Sequence, residues 1–304
     1  MTTTSKPALT ARQVAWRRRR QSAGRTWAEF RRHRSGLVGL GVLVVFGLAA
    51  ICAPLLASHE SIEVTKATGG VLEAPSWDYP LGTDADGRSV LALLIWGSRV
   101  SLMVGLLATA ISMLLGTLVG LASGHYHNFF GKALFRITEW FLVVPWLPLA
   151  IVLSTVLGPS LLTVAFVIGI VSWPATALLI RAQTLSIESR PYLERARALG
   201  AGDWRQMRRH VLPNVMPMVF ANTTLTVAGA ILTETTLAFL GLSDPLYVSW
   251  GSMLDEAFNV GAITTGAWWF MLPPGICVIV VVLAFTLIGQ ALEEVYNPRL
   301  RERA

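Results

Sequence analysis

Long runs of uncharged, apolar residues constrain this chain more than any other feature of its sequence. The clearest run, Ser160–Ile180 (SLLTVAFVIGIVSWPATALLI), holds no charged residue over 21 positions. About 20 such residues cross the hydrocarbon core of a bilayer as one helix. The whole chain is 14% charged, whereas soluble domains carry roughly 25% charged residues. The sequence therefore predicts an all-α membrane protein.

Six runs of this kind predict six transmembrane helices. They lie at Leu37–Ala57, Val100–Ser123, Ile137–Leu157, Leu161–Ile180, Val215–Leu242 and Leu272–Leu292. The first run follows a basic stretch, as the apolar part of a signal peptide does. Its 21 residues exceed the usual length of about 7–15 for such a part, so we expect a retained helix. Pro145, Pro148 and Pro174 are expected to mark bends, and Gly116 and Gly120 to mark close helix packing.

The positions of the basic residues predict the orientation. Of the 25 Lys and Arg residues, 22 lie in segments that six spans place on one side of the membrane. Basic loops stay in the cytoplasm, so we expect a multi-pass protein of the plasma membrane with both termini in the cytoplasm. The same asymmetry explains the net charge of +7 without nucleic-acid binding. The expected divisions are a basic segment 1–36, the first helix with an outer loop 37–99, a transmembrane core 100–296 and a tail 297–304.

The connection between the fourth and fifth spans, the 189–213 loop, predicts two short helices. Pro191 suits a first helical position, Gly200 breaks the run, and Asp203 is expected to cap a second helix. The first helix should be amphipathic: Leu193 and Ala196 are expected close to Leu199 and Ala198, and Arg195 and Arg197 are expected to point elsewhere. Such a helix fits a groove of a soluble partner or the membrane surface, and the residues alone favour neither.

The same loop resembles the EAA signature of binding-protein-dependent ABC importer permeases: Glu-Ala-Ala, three residues, Gly, nine residues and an apolar position before x-Leu-Pro. The residues at matching positions are Glu194, Ala196, Gly200, Leu212 and Pro213. Arg195 replaces the middle alanine, and His210 occupies the apolar position. Further segments are similar to the C-type permeases of the dipeptide/oligopeptide group. They are residues 80–90 (PLGTDADGRSV), 97–102 (GSRVSL), 171–183 (VSWPATALLIRAQ), 237–242 (LAFLGL), 249–254 (SWGSML) and 297–300 (NPRL).

This resemblance implies the six-helix fold of a type I ABC importer permease, with a coupling helix seated in a cytoplasmic ATPase. It implies no catalysis by this chain, and ATP and Mg²⁺ bound by partner subunits. The implied partners are a homologous B-type permease, two ATPase domains, an extracytoplasmic solute-binding protein and the lipid bilayer. The implied role of this chain is to form half of a translocation pathway for di- and oligopeptides. Nickel chelates, haem or sugars are alternative cargoes for the same architecture. A non-ABC channel or an intramembrane enzyme is the alternative class of protein. The implied coupling residues are Glu194, Arg195, Ala196, Arg197, Gly200, Asp203, Leu212 and Pro213.

Polar residues inside the spans supply the pathway candidates. Acids within a membrane are costly and are functional hypotheses by default. Glu234 is a candidate for the pathway or its gate, with satisfaction by Thr233, Thr235 and Thr236 expected, and Asn222 and Thr226 lie on the same span. Glu139 is expected near the cytoplasmic interface beside Arg136. His125 and His127 are expected to be solvated, and we expect no metal site.

Overall fold

The computed structural model describes residues 24 and 26–296, and it is helical with no β-strand among those residues. Most of the basic segment 1–36, the tail 297–304 and the 297–300 motif lie outside the described residues. The helices are α1 (Arg34–Ile51), α2 (Ala53–Leu56), α3 (Val90–His125), α4 (Phe129–Val143), α5 (Trp146–Leu157), α6 (Leu161–Glu188), α7 (Pro191–Ala198), α8 (Asp203–Gln206), α9 (Leu212–Phe239), α10 (Trp250–Asn259) and α11 (Trp268–Tyr296). Short 3₁₀ turns cover His59–Ile62 and Val64–Lys66, and a π-helical turn, Met207–Val211, joins α8 to α9.

Five helical stretches in the described part are long and apolar enough to cross a membrane: α1, α3, α6, α11 and the continuous stretch Asp203–Phe239. The predicted third span, Ile137–Leu157, is instead two helices, α4 and α5, bent by 93°. The break falls at Val144, whose backbone is extended, because a residue before proline disfavours helical geometry. The six predicted spans are recovered when this bent pair counts as one.

The α3 helix begins ten residues before the predicted span, at Val90. Ser89 caps it by accepting a hydrogen bond from the N–H of Ala92 at 3.4 Å. Arg99 sets the predicted boundary, but the helix accommodates it because its guanidinium reaches the ring of Trp96, 5.9 Å from the ring centroid.

Helices α3 and α6 make the most extensive helix contact in the described part of the chain, and glycines of α3 allow it. A Cβ atom on Gly116 would lie 2.6 Å from Cβ of Thr176, and one on Gly120 would lie 2.7 Å from the carbonyl oxygen of Ala177. Small residues at this spacing let two helix backbones approach closely. The packing role predicted for Gly116 and Gly120 is confirmed.

The outer loop between α2 and α3 closes over the end of the bundle opposite the 189–213 loop. The guanidinium of Arg88 binds Asp84 at 2.6 Å and Glu256 of α10 at 3.0 Å, and Asp86 lies 3.3 Å from it. Three carboxylates thus meet around one cation. Burial raises the pKa of Glu256 even though Arg88 acts to lower it. These ion pairs anchor the loop to α10.

Candidate functional site

The 189–213 loop folds into two short helices at the end of α6, as predicted. Helix α7 starts at Pro191, in the first helical position, where the missing N–H costs no hydrogen bond. Gly200 follows the helix with a φ of +79°, a left-handed conformation that glycine adopts without a steric penalty. The N–H of Ala201 donates to the carbonyl oxygen of Ala196 at 3.0 Å, which is the hydrogen bond of a Schellman helix end. Gly200 therefore fixes the turn between α7 and α8.

The second helix of the loop begins differently from the prediction. Gly202 occupies the cap position with an extended backbone, and Asp203 is the first residue of α8. The prediction that the Asp203 side chain caps the helix is therefore wrong. Its Oδ1 atom instead lies 3.5 Å from Nε2 of His125, at the end of α3. The carboxylate of Asp203 is thus directed towards the transmembrane helices.

The apolar side chains of the loop do not share one face. Leu193 is fully buried and belongs to one apolar cluster with Val215 of α9, whereas Leu199 is 88% exposed. Leu199 does not join Leu193 in the expected apolar group, because it follows the last turn of α7. Trp204 is 70% exposed as well. Two large apolar side chains, one before and one after Gly200 in the sequence, are therefore exposed to solvent.

The other predicted residues of the loop have varied surroundings. Glu194 is exposed in the first turn of α7, where a negative charge suits the helix dipole. Arg195 is exposed and makes no ion pair within the described residues, and Ala196 is half-buried. Leu212 opens α9 and is half-buried, and Pro213 is exposed beside it.

The guanidinium of Arg197 joins a polar cluster under the loop, although the side chain as a whole is 42% exposed. Its guanidinium forms a short ion pair with Oε2 of Glu188, and its Nε donates to Oε1 of Gln206 at 3.0 Å. The other carboxylate oxygen of Glu188 lies 2.5 Å from Nδ1 of His125. The side chains of Glu188 and His125 are only 5% and 3% exposed. We refer to His125, Glu188, Arg197 and Gln206 as the Glu188 cluster.

The Glu188 cluster joins the ends of α3 and α6 to both helices of the loop. Gln206 extends it by donating from Nε2 to the carbonyl oxygen of Ala201 at 2.6 Å. The expectation of a solvated His125 is wrong, because its ring is enclosed by this cluster. Sequence reasoning missed Glu188 and Gln206. The available signal was an acid at the end of an apolar helix with Arg197 nine residues later.

A second candidate region is a groove of about 470 Å³ between the bend of α4 and α5 and the helices α6 and α9. Asn222 and Thr226 both line it. The amide nitrogen of Asn222 lies 3.3 Å from the hydroxyl of Thr226 and 3.4 Å from that of Thr176 on α6. Thr233 lines the same groove further along α9. Two of the three predicted pathway residues thus meet on one wall.

Glu234 points to the other side of α9 and does not line this groove. It is 3% exposed and accepts a hydrogen bond from the Ser101 hydroxyl of α3 at 3.1 Å. That hydroxyl in turn accepts from the N–H of Trp250, the first residue of α10, at 3.2 Å. The expected satisfaction by neighbouring threonines is wrong, because their hydroxyls donate to carbonyl oxygens of α9 itself; they are Thr233, Thr235 and Thr236. Glu234 therefore joins α3, α9 and the start of α10.

Comparison with known families matches most of the chain. Residues 114–302 match the model of binding-protein-dependent transport system inner membrane components. Residues 23–72 match the N-terminal transmembrane domain of oligopeptide transport permease C. The two matches together include both helices that flank the 189–213 loop and the first transmembrane helix.

Individual relatives cover nearly the same length. The chain is 35% identical over 285 residues to the di/tripeptide transport system permease protein of Pseudomonas aeruginosa, across 91% of this chain and 92% of that protein. It is 30% identical over 297 residues to the dipeptide transport system permease protein of Bacillus subtilis, across 97% and 88%. It is also 31% identical over 289 residues to the glutathione transport system permease protein of Pectobacterium atrosepticum, across 93% and 94%.

Proposed function

This chain belongs to the family of binding-protein-dependent transport system inner membrane components, and we propose that it is the C-type permease of an ATP-driven importer of di- and oligopeptides. The family consists of transport subunits without catalytic activity, so this chain supplies a path through the membrane. The 189–213 loop is the observation that supports coupling to ATP hydrolysis. Its helix is capped and carries apolar side chains that face outward. The Glu188 cluster connects the loop to α3 and α6.

The outward side of the loop has the chemistry of a helix that docks into a groove on a cytoplasmic ATPase. Leu199 and Trp204 supply exposed apolar side chains of the kind that a helix inserts into a partner's groove. Tryptophan is among the residues that contribute most to the binding energy of interfaces. Glu194 and Arg195 supply polar contacts at the rim, and the small side chain of Ala196 allows close packing. Gly200 sets the angle between the two helices of the loop.

Coupling requires that the ATPase contact this loop differently in its two states, because a ligand shifts an equilibrium only by its differential affinity. A flexible loop would absorb a displacement instead of transmitting it. The ion pair of Arg197 with Glu188 passes a movement of the loop to α6, and the contacts of His125 with Glu188 and Asp203 pass it to α3. Leu212 and Pro213 carry the movement into α9, which lines the groove.

The remaining partners follow from this role. A homologous B-type permease completes the pathway, two ATPase domains bind ATP and Mg²⁺, and an extracytoplasmic solute-binding protein delivers the cargo. The excess of basic residues at the 189–213 end supports a cytoplasmic position for that end and for both termini. The division into segments 1–36, 37–99, 100–296 and 297–304 is retained in this assignment.

The groove between α4, α5, α6 and α9 is the proposed contribution of this chain to the pathway. Asn222 and Thr226 offer both donors and acceptors, which match the amide groups of a peptide. Glu234 acts on the outer end of the path indirectly, because it holds the start of α10 through Ser101. Cargo is tested by identifying ligands that copurify with the binding protein; a nickel chelate, haem or sugar there would contradict the peptide assignment.

The test of coupling uses the complete transporter in proteoliposomes with its binding protein. Gly200→Val forces a β-branched residue into a left-handed conformation, and we expect peptide uptake to fall on the order of 10-fold, because such a conformation costs roughly 1–2 kcal/mol. Gly202→Val is the matched control, because the backbone of Gly202 is extended and a Cβ there meets no atom within 4 Å. Glu194→Lys reverses a charge in the proposed contact and should abolish uptake while membrane insertion persists. Wild-type uptake in both Gly200→Val and Glu194→Lys would contradict the coupling role.

A further inference from the structure

The groove that Asn222 and Thr226 line does not end at Asn222. A second cavity, of about 620 Å³, lies between that groove and the 189–213 end, and Asn222 lines both. The lining of the second cavity comes from α6, α9 and α11, and α9 packs against each of the other two helices. Helix α9 therefore forms its floor, and α6 and α11 form its walls. We refer to this second cavity as the inner cavity.

The groove and the inner cavity follow one shared face of α6 and α9. On α6 the lining residues recur every three or four positions through both cavities; they are Val171, Ala175, Leu179, Gln183 and Ser186. Residues at this spacing share one side of a helix. On α9 the same spacing runs in the opposite direction, from Thr226 through Asn222 to Met218. At 1.5 Å per residue, the α6 part of this face is about 22 Å long, most of the roughly 30 Å hydrocarbon core.

The inner cavity contains polar groups that the described chain does not satisfy. The side-chain amide of Gln183 is half-buried and has no hydrogen-bond partner among the described residues. It lies five residues before the end of α6 at Glu188, about 8 Å along the helix. Polar side chains at such positions face a water-filled cavity, because exposure to lipid is costly. The inner cavity is therefore a place for water or for a polar ligand.

Two opposite charges line the inner cavity near the 189–213 end. Arg190 follows α6, and Glu293 lies on α11. Both side chains are exposed, and neither makes an ion pair with any described residue, including the other. The adjacent acid Glu294 is different, because it lies outside the lining and pairs with His33 at 3.0 Å. Arg190 and Glu293 thus supply a cation and an anion on different walls of one cavity.

A peptide with free termini has the complementary charges. At neutral pH its α-carboxyl group is anionic and its α-amino group is largely cationic, and amide groups separate the two. The side-chain amides of Gln183 and Asn222 offer donors and acceptors to those amide groups. The volume of the inner cavity falls within the roughly 300–1,000 Å³ of sites for drug-sized ligands, and a short peptide is of that size.

We propose that the inner cavity is a second peptide site of this permease, in which Arg190 binds the terminal carboxylate and Glu293 binds the terminal ammonium group. A guanidinium can donate two parallel hydrogen bonds to a carboxylate, and the carboxylate of Glu293 accepts from an ammonium group. Because the site lies at the 189–213 end, it is the last one that a peptide occupies before release. This inference rests on the proposed import of peptides and assigns the residues that read both termini.

The test measures binding of radiolabelled trialanine to the purified complex of permeases and ATPases, without binding protein or nucleotide. The competitors are trialanine, trialanine amide and N-acetyl-trialanine, and each blocked form lacks one terminal charge. We expect each blocked form to compete about 5-fold more weakly than trialanine, because an exposed ion pair contributes up to about this factor. Arg190→Gln should remove this difference for the amide alone, and Glu293→Gln should remove it for the acetylated form alone.

Three control variants separate recognition of the termini from a general effect of charge. Arg190→Lys keeps the cation and should keep the difference for the amide. Glu294→Gln and Arg208→Gln each change a charged, exposed residue outside the lining and should keep both differences.

Three results would overturn the inference while leaving peptide import intact. They are equal competition by all three forms in the wild type, an unchanged difference in either Arg190→Gln or Glu293→Gln, and no binding of trialanine to a complex that imports it. A cargo other than peptides on the binding protein would overturn the proposed function, and this inference with it.

Discussion

Glu188 is the residue that most directly links the 189–213 loop to the transmembrane helices. Its carboxylate is buried, and the two oxygens bind different partners, His125 and Arg197. A buried carboxylate is stable only where charges or hydrogen bonds compensate it. Loss of one partner is therefore more damaging than loss of an exposed ion pair, which contributes roughly 0–1 kcal/mol.

Glu188→Gln should uncouple transport, because it removes the charge that holds Arg197 while it keeps the shape of the side chain. Hydrogen bonds to charged groups contribute about 1.5–3 kcal/mol, so we expect the ratio of peptide imported to ATP hydrolysed to fall about 10-fold or more. The measurement is uptake and ATP hydrolysis in the same proteoliposomes. Arg208→Gln, which removes an exposed charge from the π-helical turn Met207–Val211, is the comparison for this ratio.

A double variant separates this linkage from general destabilisation. If the pair acts as one unit, Glu188→Gln combined with Arg197→Gln should cost little more than either change alone. Losses that add fully, or a wild-type coupling ratio in Glu188→Gln, would contradict the linkage.

Local residue chemistry predicted part of this site. Pro191 and Gly200 were recognised because the helix start and the left-handed turn depend on the residue itself. The role of Asp203 was predicted wrongly because its partner, His125, lies 78 positions earlier in the chain. Rules based on neighbouring residues do not predict a contact between residues so far apart in the sequence. Glu188 was missed although Arg197 follows it by nine residues, because its contact with His125 spans 63 positions.

At the scale of elements, the close contact between α3 and α6 depends on glycine residues of α3, which have no side chain. Gly120→Val should destabilise the permease, because even its Cβ would lie 2.7 Å from both the carbonyl oxygen of Ala177 and Cβ of Ile180. Overpacking costs typically about 1–3 kcal/mol. We expect the unfolding midpoint of the purified transporter to fall on the order of 5 °C.

The matched control for this change is Gly47→Val in α1. A Cβ on Gly47 meets no atom within 4 Å, so the unfolding midpoint should stay close to that of the wild type. Equal midpoints for the Gly120 and Gly47 variants would mean that α3 and α6 can separate without cost.

Hydropathy predicted the helices well but not their shapes. Length and absence of charge suffice to locate a span, which is why α6 and α11 were found. The sequence also marked Pro145 as a bend, yet the 93° angle between α4 and α5 depends on how both pack against α6. The early start of α3 was missed because a charged residue, Arg99, interrupts the apolar run and so set the predicted boundary of the span. In the structure the long side chain of Arg99 extends past the apolar surface to Trp96.

At the scale of the whole molecule, α3 connects the two loops that face opposite sides of the membrane. Its 36 residues span about 54 Å at 1.5 Å per residue. At one end the outer loop is pinned by Arg88 to α10, and at the other His125 meets the Glu188 cluster. A single rigid helix thus joins the proposed docking surface for the ATPase to the side that receives cargo.

The most direct test of the central claim is site-specific cross-linking in the assembled, transport-active complex. A photoreactive residue at Leu199 should give a product with the ATPase subunit, in a yield that differs between the ATP-bound and ADP-bound states. The same group at Leu246, which is 85% exposed in the connection at the opposite end of α9, should give none. Absence of any ATPase product from Leu199 in a complex that still imports peptide would contradict the account.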